Sequence, residues 1–147
     1  MATIQLPPDF KEFLKLLNSS SVEYLVIGGY AVNVHGYARA TADLDIWISI
    51  HPENARRVAQ VLREFGFAQA EPETFLRPCQ VIRMGVPPVR LAILTSVSGV
   101  EFADCYARRL EAELDGVPIN LIQLDDLKRN KLASGRLQDR LDLERLP

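Results

Sequence analysis

Asp43 and Asp45 stand at alternate positions in the run "DLDIWISI", and alternate positions of a β-strand face the same way. At a rise of ~3.3 Å per residue their Cα atoms are about 6.5–7 Å apart, so the carboxylate tips can converge on one divalent cation. Magnesium suits such a pair, because it takes oxygen ligands and is commonly held by one or two carboxylates together with substrate phosphates. Taken alone, the pattern is weak evidence, and its default reading is solvated edge aspartates or partners for Arg39. Upstream, Gly28-Gly29 falls where the apolar run "EYLVI" hands over to "YAVNVHG". A helix beginning there would present free N–H groups, and the missing Cβ atoms would let phosphate oxygens approach them. A plain tight turn also accounts for the pair. The next glycine, Gly36, is wrongly spaced for a dinucleotide fingerprint, and no P-loop lysine follows. Together, the glycine turn and the aspartate pair describe a site for a nucleoside triphosphate and its metal.

The elements that must position these groups are legible from periodicity. Phe10, Phe13, Leu14 and Leu17 form a helical stripe behind Pro7-Pro8-Asp9, followed by a short buried strand over 23–27 and a short helix closed by Gly36. In "DLDIWISI", Leu44, Ile46, Ile48 and Ile50 face one side, and Asp43, Asp45, Trp47 and Ser49 the other. A helix from Pro52 carries Val58, Val61, Leu62 and Phe65 and stops at Gly66. Pro72 and Pro78 argue against regular structure over 67–78. "QVIRMG" and "VRLAILT" read as strands joined through Val86-Pro87-Pro88, "FADCYARRL" as a helix, and Asp115-Gly116 as a hairpin turn. Pro118 places the second hairpin strand at an edge or bulge. From Asp125 the chain is helical, with a break near Gly135. Without repeats or linkers, residues 1–147 read as one α/β (α+β) domain.

A net charge of −2 at pH 7 gives no polybasic signature for bulk nucleic-acid capture, and leaves room for a local basic site. Cys79 and Cys105 have no metal-ligand spacing and read as small buried thiols of a reducing compartment. Lys11 and Glu12 interrupt any opening apolar run, and no stretch approaches the ~20 apolar residues of a membrane helix. The expected location is cytoplasmic.

The segment "GGYAVNVHGYARATADLDIWI" resembles the core signature of the polymerase-β-like nucleotidyltransferases. It is most similar to the small bacterial minimal nucleotidyltransferases, whose motif H-G-x-x-R-x-T-x-D-h-D falls on His35, Gly36, Arg39, Thr41, Asp43 and Asp45. "PPVRLAILTSVSGVEFADCYARR" resembles the family's third-strand segment. "LIQLDDLKRNKLASGRLQDRLDLERL" resembles its helical tail, with Lys131, Arg136 and Asp139 in the lysine, arginine and aspartate positions. Related tails occur in toxin–antitoxin and abortive-infection nucleotidyltransferases.

The resemblance implies the nucleotidyltransferase fold: a small mixed β-sheet flanked by helices, with a helical C-terminal tail. It implies transfer of a nucleoside monophosphate from a triphosphate to an acceptor hydroxyl, with two magnesium ions held by Asp43 and Asp45. Gly28 and Gly29 would cradle phosphates. Lys131 would neutralise their charge, or else lie on a solvated face with Lys128 and Arg129. Arg39 would reach a phosphate or pair with Asp43. Arg136 and Asp139 would form a surface ion pair or a site element, and His35 would pack or cap rather than move protons. Thr41 reads as a turn hydroxyl, and Tyr30 and Trp47 as core aromatics. The acceptor would be a small molecule, an RNA end such as that of tRNA, or a partner protein. A second copy of the chain, or the acceptor itself, would complete the open side of the cleft.

One position departs from the pattern. The family's R-h-D-h-L strand appears here as Arg90-Leu91-Ala92-Ile93-Leu94. Ala92 stands where the third metal-binding carboxylate belongs, and Glu101 and Asp104 are not in register to replace it. The chain is therefore expected to transfer poorly. A non-catalytic nucleotide-binding or partner-binding module is the competing expectation.

Overall fold

The computed structural model describes residues 4–86 and 89–147. Helix α1 (Pro8–Ser19) buries Phe10, Phe13, Leu14 and Leu17, the stripe expected from its spacing. Strand β1 (Tyr24–Ile27) is buried throughout and runs directly into the short helix α2 (Gly28–Val34). Strand β2 (Asp43–Ile48) leads to α3 (Pro52–Glu64), capped by the His51 ring accepting from the Asn54 N–H. Then come β3 (Val81–Val86) and β4 (Val89–Leu94), with the expected Pro87-Pro88 connection lying outside the described residues. Helix α4 (Phe102–Ala107), strands β5 (Leu110–Leu114) and β6 (Val117–Leu121), and helices α5 (Leu124–Ser134) and α6 (Leu137–Arg145) complete the chain.

The strands form a six-stranded mixed sheet in the order β3-β4-β2-β1-β6-β5. β2 lies antiparallel to β1 and parallel to β4. The end of β1 therefore meets the start of β2, with Ile27 opposite Asp45, and this brings the glycine pair beside the aspartate pair. Leu44, Ile46 and Ile48 are fully buried under one face of the sheet.

Several details differ from the periodic reading. Ile50 lies past the end of β2 and is 37% exposed. Residues Pro72–Leu76 form a 3₁₀ turn that anchors Phe75 in the core; proline is tolerated there because the first helical N–H needs no partner. Pro118 sits in β6, between β1 and β5 rather than at an edge. Its missing N–H costs little because β1 is short, and its registered pairing with β6 is Val26 with Leu121. Cys105 is buried as expected, but Cys79 is exposed, at φ 60°. The Asp115-Gly116 turn and the Gly135 break form as expected, all three residues at positive φ. Among the described residues no helix is long and apolar enough to cross a membrane.

Candidate functional site

The site starts from strand register. On β2, Asp43 and Asp45 point to the face opposite Leu44 and Ile46. On the adjacent parallel strand, Arg90 pairs with Asp43 and Ala92 with Asp45. Arg90 grips Asp43 through both carboxylate oxygens, its Nε donating at 3.0 Å and its Nη2 at 2.8 Å. The alanine thus occupies the corner beside Asp45, as the strand alternation required. Trp47, next on the same face, is buried edge-to-face against Phe102 at 5.2 Å, and Tyr30 is buried against Phe10. Neither ring is open for stacking on a base.

The glycines are set by what lies over them. Gly28 has φ +68°, and a Cβ there would come within 2.1 Å of the Asp45 Oδ2. At Gly29 a Cβ would meet the Thr41 Oγ1 at 2.3 Å. Both positions need a bare backbone so that β2 and its leading loop can close down on α2. Thr41 also donates to the Asp43 carbonyl at 3.3 Å.

Helices α5 and α6 form the opposite wall. Lys131, expected on a phosphate or in solvent, is buried, its Nζ donating to Asp139 at 3.1 Å and lying 2.9 Å from Asp142. Arg39 does not pair with Asp43. It clamps Asp142 instead, with its Nε at 2.7 Å and Nη2 at 2.9 Å. Arg136 caps α6 by bonding Asp139 through its Nε and backbone N–H; the aspartate is buried but the arginine side chain is 77% exposed, so the expected surface pair has only its carboxylate sunk into the fold. His35 packs, its Nε2 lying 2.7 Å from the Ile122 carbonyl.

The electrostatics follow from these contacts. Burial pushes Asp45 up to about 6, and the neighbouring Asp43 adds to the shift against the pull of Arg136, Lys131 and Arg83. Asp139 goes the other way. Burial raises it, but bonds from Arg136, Ser134 and Lys131 outweigh burial and hold it at about 2. Asp142 is likewise held below the usual carboxylate range, burial being overcome by Arg39, Lys131 and Gln138.

Between the walls lie two contiguous hollows. One, of about 280 Å³, is lined by Gly28, Gly29, Arg39, Thr41, Asp45 and Lys131, among others. The second, of about 340 Å³, shares Gly28, Asp43, Asp45, Lys131 and Arg136 and extends over Ala92 to Arg83. Glu101 and Asp104 border a different hollow, beside Asp126. Among the described residues no group of three or more His, Cys, Asp or Glu could hold a metal ion. Asp43 and Asp45 would be the carboxylates to share one hard cation, its remaining ligands phosphates and water, with Asp43 offering only the lone pairs that Arg90 leaves. The raised Asp45 marks a carboxylate pair that such an ion would neutralise. A second ion would lack its third carboxylate.

Reading the sequence alone missed Arg90, Asp142 and Arg83 as members of this site. The alternation of "VRLAIL" already set Arg90 on the face of Ala92, and Asp142 follows Asp139 at a helical spacing of three. Both were findable. Arg83 depended on the pairing of β3 with β4, which local pattern does not encode.

No curated protein matches the chain. Among solved structures it is similar to a candidate nucleotidyltransferase from Thermotoga maritima, with a TM-score of 0.65 at 16% identity, over 96% of this chain and 94% of that one. At that identity the likeness concerns the fold, a mixed sheet with flanking helices. Residues 8–146 match the model of a family described as nucleotidyltransferase of unknown function (DUF6036), and the chain belongs to that family.

Proposed function

We propose that the chain binds a magnesium-bound nucleoside triphosphate between the sheet and α5–α6, and that Ala92 leaves it a weak nucleotidyl transferase. The observation that carries this reading is the register of β2 and β4, which pairs Ala92 with Asp45. Asp43 and Asp45 would hold the metal, and Gly28 and Gly29 would border the phosphates. Lys131 acts through its position: locked by two aspartates, it adds positive charge beside Asp45 without rotating away. Arg39 fixes Asp142 and so holds α6 over the cleft. The bound ion would offset the charge that spreads over the phosphoryl oxygens during transfer. A methyl group at position 92 neither binds a cation nor accepts the proton of an attacking hydroxyl, and here the reaction stalls.

The acceptor would be a small alcohol, an RNA end or a protein hydroxyl. The tail's resemblance to toxin–antitoxin and abortive-infection enzymes keeps an RNA end or a partner protein among these, while the net charge of −2 counts against an extended RNA surface. A cytoplasmic location belongs to this reading, where a pool of magnesium-bound nucleoside triphosphate is at hand.

The test is to incubate the chain and its Ala92→Asp variant with labelled nucleoside triphosphates against small alcohols, total tRNA and cell extract. Label transfer should rise by orders of magnitude in the variant. Equal rates from the two chains would remove the role assigned to position 92. The competing reading, nucleotide binding without chemistry, draws on the Arg90 clamp on Asp43. Magnesium-dependent binding with no turnover, even in the variant, would select it.

A further inference from the structure

Three adjacent strands place Arg83, Ala92 and Asp45 in one row. Arg83 on β3 pairs with Ala92 on β4, and Ala92 pairs with Asp45 on β2. Directly paired residues project to the same face of a sheet. Two strand spacings put the Arg83 Cα about 10 Å from that of Asp45, a gap that an arginine side chain can reach across. All three residues line the 340 Å³ hollow, and the charge of Arg83 is felt at Asp45.

The other cations bordering this hollow are already committed, Lys131 to Asp139 and Asp142 and Arg136 to Asp139. Arg90 is bound to Asp43. The Arg83 side chain is exposed and makes no ion pair or hydrogen bond among the described residues. A carboxylate at position 92 would face it directly, as Asp43 faces Arg90. With a methyl group there, the guanidinium remains free beside the aspartate pair, and its planar fork matches two phosphate oxygens.

We infer that Arg83 is a direct ligand of the polyphosphate of a bound nucleotide, supplying at the Ala92 corner the positive charge that a second metal ion would otherwise provide. This inference rests on the nucleotide reading above. It adds a consequence: the chain retains polyphosphate affinity when magnesium is removed, and Arg83 carries that affinity.

Calorimetric titration of inorganic triphosphate and of a nucleoside triphosphate, each with magnesium and with EDTA, tests it. In EDTA the unaltered chain should bind both, and Arg83→Ala should weaken binding about tenfold or more, the scale of a charge-assisted hydrogen bond. Arg83→Lys should recover part of the loss through its charge. Ala92→Asp should weaken magnesium-free binding by a similar factor, because the new carboxylate pairs with the guanidinium. Melting temperatures of the Arg83 variants should match that of the parent, since the side chain is exposed and unpaired. Binding in EDTA that Arg83→Ala leaves unchanged overturns the role of Arg83 alone, as does binding confined to magnesium. No binding under either condition overturns the nucleotide reading and this inference with it.

Discussion

At the scale of single residues, the site is defined by a charge that the protein leaves poorly compensated. Asp43 has its own arginine at 2.8 Å, whereas Asp45 sits against the backbone of Gly28 with no bonded cation. Burial raises it to about 6, helped by Asp43. This is an acid whose folded value lies above the ~3.9 of an unfolded chain. The stability linked to it is therefore full below about pH 4 and is lost as pH rises through about 6. Asp45→Asn should then stabilise the unliganded protein at about pH 8, by on the order of 1–2 kcal/mol, with no gain at about pH 4. Urea unfolding at both values measures this. Unequal stabilities at low pH, or equal ones at high pH, would show that the carboxylate is not strained by its surroundings.

At the scale of elements, α6 is unusual in what it buries. Its inward side chains are Asp139 and Asp142, while Leu132 and Leu137 on the helix pair are 74% and 76% exposed. Leu127 of α5 and Leu146 after α6 anchor the pair in the core, but α6 itself is tied to α5 by Lys131 and to the loop before β2 by Arg39. Such an arrangement adds little net stability over an apolar one but fails badly when one partner is removed. Lys131→Met would leave two buried carboxylates short of a cation and should cost about 3–5 kcal/mol. The loss should appear in denaturant midpoints, and far-UV dichroism at low denaturant should report whether α6 has come away. A variant as stable as the parent would mean that the two aspartates are wetter than their burial indicates.

At the scale of the whole molecule, legibility tracks sequence distance. The aspartate strand, the glycine turn and the Gly135 break were readable because alternation and turn chemistry act over a few residues. Asp43 and Arg90 lie 47 positions apart, and Arg39 and Asp142 lie 103 apart. Their pairing depends on strand order and on α6 folding back, which no local pattern sets. Pro118 was misread for the same reason, since whether a strand is an edge depends on how far its neighbour extends. The same long-range closure makes a testable claim about coupling. The walls of the cleft come from the end of β1, the start of β2, the β3–β4 pair and α5–α6. A ligand seated there bridges segments from across the chain and stabilises only the state in which they are assembled. Adding magnesium and a nucleoside triphosphate should therefore slow amide exchange over 27–29 and, in parallel, over 130–139, while β5 and α1, far from the cleft, change little. Protection confined to the sheet would mean that α5–α6 is not a wall of the binding site, and the roles given to Lys131 and Arg39 would go with it.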